Sequence, residues 1–223
     1  MCGIAGSYET SMFEVLMEAN AARGDFASGV VQIKKRKGHE TFKKEGLIDF
    51  DKDLVLDPLS KYYIGHVQAP TSGERGWGYD TSHPFFSLNW AIMHNGVLSN
   101  ETEIRQKHLP YDENPVDSSL IVNMLEEFTP DAGRVLASGQ VDVIKRSLEV
   151  LEGTFALVML YLPTNSLYLA RQGSVLHIDK KGNFSSIKGK TFRKIPEGTI
   201  YKLSRSKWER VGKFKTNSPY LFV

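Results

Sequence analysis

The sequence predicts an α+β fold in which two antiparallel sheets pack face to face and helices lie on the outside. Segments rich in β-branched and aromatic residues are numerous, whereas only three segments show clear helical periodicity. One strand, residues 155–162, reads Phe-Ala-Leu-Val-Met-Leu-Tyr-Leu without a polar interruption. Because a strand with no polar face is buried on both sides, it belongs at the centre of such a fold.

Three helices are predicted from apolar residues at helical spacing, over residues 11–22, 117–128 and 141–151. Ser11 can cap the first of them, with Glu14 three residues further on. Gly153 ends the third. The helices are few and the strands many, which agrees with helices that cover a sheet rather than form a bundle.

The remaining predicted elements are strands, at residues 29–33, 62–67, 88–94, 155–162 and 166–171, with a meander of short strands from residue 175. A strand that begins at residue 41 forms a hairpin with the first one. The basic run between them fits a solvated turn better than a nucleic-acid patch. The strand 88–94 ends at Asn95-Gly96, a dipeptide typical of tight turns. Residues 74–82, rich in Gly, Trp and Tyr, suit a binding loop.

Composition indicates a globular chain of 223 residues, 41% hydrophobic and 24% charged, which we interpret as a single domain over 1–223. The net charge of +2 argues against nucleic acid or an anionic membrane as the main partner. No signal-peptide pattern and no apolar run of about 18 residues is found, so a cytoplasmic location is expected.

The only cysteine of the chain, Cys2, follows the initiator methionine. It excludes an intrachain disulfide and a multi-cysteine metal site. A small residue at position two favours removal of Met1, which would leave the thiol and a free α-amine on one residue. That amine titrates at about 7.7–8.0 and can take the thiol proton directly or through a water. A buried structural cysteine is the alternative.

A set of short motifs, in order, resembles the class II glutamine amidotransferase domain of the N-terminal-nucleophile hydrolases. It is similar to the glutaminase domains of glucosamine-6-phosphate synthase and of glutamine phosphoribosylpyrophosphate amidotransferase. The match is strongest over residues 2–175. The motifs are Met1-Cys2-Gly3-Ile4, Arg23-Gly24 with Ser28-Gly29, Gly65-His66-Val67 with Thr71, His83-Pro84-Phe85, His94-Asn95-Gly96, Asp117, Gly153-Thr154-Phe155-Ala156 and Ala170-Arg171-Gln172-Gly173-Ser174.

The resemblance implies a four-layer αββα sandwich and a glutaminase reaction. Cys2 would attack the side-chain amide of glutamine, form a glutamyl thioester and release ammonia, and water would then release glutamate. The Asn95 amide and the Gly96 backbone N–H would hold the oxyanion, each contributing on the order of 3 kcal/mol to lowering the barrier. A plain turn is the competing interpretation of Asn95-Gly96.

Further substrate-binding residues follow from the same resemblance. Asp117 would bind the α-ammonium of glutamine, although it is also placed to cap the second helix, a task that Ser118 could take instead. Arg23 would position the terminal cysteine; its alternative is a charge at a helix C-terminus. Thr71 belongs to the expected substrate-binding set. His66, His83 and His94 form no recognisable metal set, so we expect no metal and no cofactor.

Gln68 departs from the family pattern, which usually has arginine at this position to bind the α-carboxylate of glutamine. A neutral glutamine cannot replace that charge. Three explanations stay open: Arg75 supplies the charge, the substrate is an amide without a free α-carboxylate, or turnover has been lost and only binding remains. A non-catalytic amide-binding or scaffold module on the same fold is therefore the alternative function.

No segment after residue 175 is long enough for the synthase that would use the ammonia. We therefore expect a separate ammonia-accepting synthase chain, or a free-standing amide hydrolase.

Overall fold

The computed structural model describes residues 2–36, 38–69, 77–130 and 135–217. In chain order the elements are β1 (Gly3–Ser7), α1 (Thr10–Ala21), β2 (Ala27–Lys34), β3 (His39–Glu45), β4 (Ser60–Gln68), β5 (Phe85–Phe86), β6 (Trp90–Leu98), α2 (Glu101–Lys107), α3 (Asp117–Glu127), α4 (Ala137–Glu149), β7 (Gly153–Tyr161), β8 (Ser166–Gln172), β9 (His177–Ile178), β10 (Phe184–Ser185), β11 (Arg193–Lys194), β12 (Thr199–Ser204) and β13 (Lys207–Lys213).

Two antiparallel sheets make up the body of the fold. The first has seven strands in the order β11-β9-β10-β1-β4-β2-β3, and the second has six in the order β13-β12-β8-β7-β6-β5. The predicted hairpin of β2 and β3 and the pairing of β7 with β8 are both present. The predicted α+β class with two antiparallel sheets is confirmed.

Three apolar clusters show how the layers stack. Phe13 of α1 packs with Tyr63 and other residues on the outer face of the first sheet. A second cluster, with Ile64 from one sheet and Met93 from the other, fills the space between the sheets. The third joins the outer face of the second sheet to α3 and α4. Strand β7 contributes alternate residues to the second and third clusters, so it is buried on both faces as predicted.

Several local predictions are wrong. Helix α1 begins at Thr10, and the preceding Glu9 makes no side-chain cap, so Ser11 lies inside the helix and does not cap it. Strand β6 continues through Asn95-Gly96 to Leu98, which rules out a turn at that dipeptide. The sequence did not predict the short helix α2. The strands after residue 175 also do not form one meander, because β9–β11 extend the first sheet and β12–β13 extend the second.

Within the described ranges, no helix has both the length and the apolar character needed to cross a membrane.

Candidate functional site

Side-chain alternation brings Cys2, Gln68 and Asn95 to the space between the two sheets. Residues two apart on a strand face the same side, and Ile4, Ile64 and Met93 all belong to the cluster between the sheets. Cys2 therefore shares the face of Ile4, Gln68 that of Ile64, and Asn95 that of Met93. The Cys2 Sγ lies 4.0 Å from the carbonyl oxygen of Ala69, which immediately follows β4. All three residues therefore face the space between the sheets, and Cys2 and Gln68 line one cavity there.

A cavity of about 270 Å³ opens at this end of the fold. Its lining includes Cys2, Gln68, Gly96, Glu101, Asp117 and Ser118. Four of these residues were predicted for the site from the sequence. Thr71 and Arg75, the other two predicted substrate-binding residues in this region, lie outside the described residues.

Arg23 is held against the backbone of the cysteine. Its Nε donates a 2.7 Å hydrogen bond to the Cys2 carbonyl oxygen. Gly24 allows this approach, because a Cβ at that position would lie 2.4 Å from the Ala69 nitrogen. The guanidinium therefore fixes the carbonyl of the cysteine, and the loop after α1 presses against the end of β4.

Asn95 is 1% exposed, yet neither its Nδ2 nor its Oδ1 has a hydrogen-bond partner among the described residues. Leaving a buried polar group unsatisfied costs about 1–3 kcal/mol, so such a group calls for an explanation. Gly96 follows it on β6, where a Cβ would lie 1.9 Å from the Thr154 carbonyl oxygen on β7. Only glycine allows the two strands this close at that point.

The Cys2 thiol is buried, with 7% of the residue exposed. Burial raises the pKa of this thiol, a backbone hydrogen bond with Ala69 opposes the shift, and the negative charge of Asp117 adds to it. At neutral pH the sulfur is therefore protonated. Since the thiolate is the nucleophilic form, this cysteine needs a base to react.

Asp117 is the first residue of α3, and its carboxylate does not cap that helix. It accepts the backbone N–H of Leu98 at 3.1 Å and the Ser118 hydroxyl at 3.4 Å. The cap position is Val116, which has no side-chain cap, so both Asp117 and Ser118 were wrongly considered as caps. With its side chain 17% exposed and lining the cavity, the Asp117 carboxylate is available to a ligand.

Three histidines and Ser118 form a buried network, and His83, His94 and Ser118 from it line the cavity. The Ser118 Oγ lies 3.0 Å from both His83 Nε2 and His94 Nδ1. His66 Nε2 is 3.0 Å from the His94 carbonyl oxygen, and its ring stacks on that of His83 at 3.9 Å between centroids. Burial lowers the pKa of His66 to about 3, and it also lowers the pKa of His94 despite the nearby Asp117. His66 and His94 are therefore neutral at pH 7.

Sequence reasoning missed two polar residues of the cavity lining. One is Glu101, and the other is Ser118 in its role at the centre of the hydrogen-bonding network. Ser118 follows the predicted Asp117, and that adjacency was the one available signal. Nothing in the sequence around Glu101 set it apart. No group of three or more potential metal ligands occurs within the described part of the chain.

Substituting Asp117 tests its electrostatic effect on the cysteine. Asp117→Asn is expected to lower the pKa of the Cys2 thiol, because it removes a negative charge that disfavours the thiolate. Alkylation by iodoacetamide, followed against pH, reports this directly, since the chain has one cysteine. The variant should react faster than wild type at a fixed pH below the thiol pKa. Glu127→Gln, exposed at the other end of α3, is the control. An unchanged profile for Asp117→Asn would contradict the electrostatic coupling.

Solved structures of amidotransferases share this fold. Glutamine phosphoribosylpyrophosphate amidotransferase from B. subtilis superposes with a TM-score of 0.75 and 22% identity, over 96% of this chain and 49% of that one. A predicted glutamine amidotransferase from Pseudomonas aeruginosa PA01 superposes with a TM-score of 0.54 and 15% identity, over 95% of both chains. A scan against models of known protein families gave no match.

Sequence relatives point to the same family. Glutamine–fructose-6-phosphate aminotransferase (isomerizing) of Listeria monocytogenes is 26% identical over 196 residues, which cover 84% of this chain and 31% of that protein. The protein of the same name from Halalkalibacterium halodurans is 27% identical over 184 residues, or 79% of this chain and 30% of its own length. This chain is homologous to part of these aminotransferases.

The chain spans about a third of the length of these sequence relatives. It matches about half of the B. subtilis structure. The interpretation of residues 1–223 as one domain stays a prediction.

Proposed function

We propose that this chain hydrolyses the side-chain amide of glutamine, with Cys2 as an N-terminal nucleophile, and releases ammonia for a synthase. The observation that carries the proposal is the Asn95 amide, which is buried without a hydrogen-bond partner among the described residues. Asn95 precedes Gly96, and Gly96 lines the same cavity as Cys2. A donor without a partner in the free protein is ready to stabilise charge that appears during a reaction. The amidotransferase homology supports the reaction type.

The first half of the proposed reaction forms a thioester. After removal of Met1, the α-amine of Cys2 takes the thiol proton, and the sulfur attacks the amide carbon. Asn95 Nδ2 and the Gly96 backbone N–H stabilise the oxyanion. The protonated amine then gives its proton to the leaving nitrogen, and ammonia departs as the carbon–nitrogen bond breaks.

The second half restores the enzyme. The α-amine takes a proton from water, the resulting hydroxide attacks the thioester carbonyl, and the sulfur leaves with a proton from the amine. The sum is glutamine and water giving glutamate and ammonia. Because burial raises the pKa of the thiol, the base supplied by the α-amine is required in the first step.

Substrate contacts complete the proposal. Asp117 binds the α-ammonium of glutamine, and Arg23 positions Cys2 through its carbonyl. Two further contacts stay predictions. They are Arg75, for the α-carboxylate, and Thr71, for another part of the substrate. One observation at Gln68 supports the competing view that the substrate lacks a free α-carboxylate. The Gln68 Oε1, a hydrogen-bond acceptor, is buried with no partner among the described residues.

The ammonia acceptor is proposed to be a synthase, on a separate chain. The relatives that this chain matches are about three times as long, which is consistent with a further catalytic unit beside the glutaminase in those proteins. We propose a cytoplasmic location, because a lone thiol stays reduced there.

Ammonia release is the direct test. Purified protein incubated with glutamine is expected to form ammonia and glutamate in equal amounts, and its intact mass is expected to show loss of Met1. Protein with Met1 retained is expected to be inactive, since its α-amine belongs to the wrong residue. Processed protein that binds glutamine without producing ammonia would instead support the non-catalytic amide-binding module.

A further inference from the structure

The cavity beside Cys2 contains a second carboxylate besides Asp117. Glu101, the first residue of α2, lines the same cavity as Cys2 and Asp117. Burial raises the pKa of the Glu101 carboxyl, and the charge of Asp117 raises it further. The two carboxylates therefore share one cavity, where their like charges repel each other.

Neither carboxylate is neutralised by a cation among the described residues. Within the described part of the chain, the only ion-pair contact of Asp117 is His94 Nδ1 at 4.0 Å, and burial keeps that histidine neutral at pH 7. The guanidinium of Arg105 is engaged elsewhere: it pairs with Asp112 at 3.3 Å and donates to the Asn114 carbonyl oxygen at 2.6 Å. Glu101 has no ion pair within 4 Å in the described ranges.

The described lining of the cavity contains no lysine or arginine. At the position where the family usually has a carboxylate-binding arginine, this chain has the neutral Gln68. The described side chains that line the cavity thus carry a net negative charge, which favours a cationic ligand group over an anionic one.

We propose that Glu101 and Asp117 together bind the protonated primary amine of the substrate. The pocket then selects amides mainly by their ammonium group and only secondarily by an α-carboxylate. The inference rests on the proposed amide hydrolysis at Cys2 and assigns Glu101 as a specificity-determining residue for it. One ammonium group has three donors, enough to contact both carboxylates and remove their mutual repulsion.

A structural role of Glu101 makes a different prediction. An acidic residue in the first turn of a helix stabilises it through the helix dipole. Glu103 lies in the same first turn, so it shares that role, but it does not line the cavity and instead pairs with Lys107. Glu103→Gln is therefore the matched control for the helix effect.

The experiment measures glutamine binding by calorimetry in a Cys2→Ala background, and KM and kcat with Cys2 intact. Glu101→Gln is expected to raise both the Kd and the KM for glutamine by at least about tenfold, the effect of losing one charged hydrogen bond, and to leave kcat within about twofold. Glu103→Gln should bind glutamine as the parent does. Thermal unfolding of both variants checks that each is folded.

Two glutamine derivatives test the preference for the amine. N-acetylglutamine keeps the carboxylate and loses the ammonium, whereas glutamine α-methyl ester keeps the ammonium and loses the carboxylate. We expect the ester to bind within a few-fold of glutamine and N-acetylglutamine to bind at least about tenfold more weakly. Folded Glu101→Gln with unchanged glutamine affinity, or an ester that binds more weakly than N-acetylglutamine, would overturn the inference. Absence of ammonia from the wild type would count against hydrolysis, while the calorimetry would still decide the inference.

Discussion

Cys2→Ala is expected to abolish ammonia release from glutamine, with a loss of at least about 10⁴-fold, the scale seen when a covalent nucleophile is removed. The reason is that no other residue can form the proposed thioester, since the chain has a single cysteine. The fold should survive the change, because the one hydrogen bond of the thiol to a described residue is a 4.0 Å contact with the Ala69 carbonyl. Ammonia release and thermal unfolding of the same preparation measure the two effects.

Alanine is a matched replacement because it is also small and preserves the conditions for removing Met1. Intact mass must show the same processing in variant and wild type. Diazo-oxo-norleucine, a glutamine-like electrophile, should label the wild type once, at Cys2, and should not label Cys2→Ala. Undiminished ammonia release by a processed alanine variant would show that Cys2 is the buried structural cysteine of the alternative interpretation.

Patterns that are local in sequence predicted the fold well. The uninterrupted apolar strand β7 contributes to two apolar clusters, one on each face of the second sheet, which is why it carries no polar side. The hairpin of β2 and β3 and the helix α3 also follow from short-range periodicity. Each of these features depends on which residues face the core, and that information lies within a few residues of the element itself.

Asn95-Gly96 shows where local reasoning fails. The dipeptide favours a turn in isolation, but nine residues of β6 pair with β7 and keep it extended. Gly96 is required there by the approach of the Thr154 carbonyl, a contact across 58 positions of sequence. The glycine therefore serves a contact between strands, which no short-range pattern could show.

Only part of the cavity lining could be predicted from the sequence, because the rest depends on contacts between distant segments. Motif resemblance pointed to four lining residues: Cys2, Gln68, Gly96 and Asp117. It did not point to Glu101, which begins a seven-residue helix too short to show periodicity. Its proximity to Asp117 depends on where α2 packs. The placement of such residues is a property of tertiary packing, and their roles stay predictions until variants are measured.

Asn95→Ala is expected to lower the turnover of glutamine by about 10²–10³-fold and to change the affinity for glutamine by no more than a few-fold. Removing one oxyanion donor costs this much because the contact strengthens mainly in the transition state. Stability should change by no more than about 1 kcal/mol, since no hydrogen bond to a described residue is lost and relief of the unsatisfied amide offsets the small cavity.

Asn183→Ala is the matched control. Asn183 is another buried asparagine, 4% exposed, but its Nδ2 donates to Asp179 at 2.8 Å, and it lies beyond the end of β1 opposite to Cys2. We expect this variant to lose about 1–3 kcal/mol of stability and to keep its turnover. Steady-state kinetics and chemical denaturation on the two variants should thus give opposite patterns. An Asn95→Ala enzyme with normal kcat and a raised KM would make Asn95 a ground-state contact and remove it from the oxyanion site.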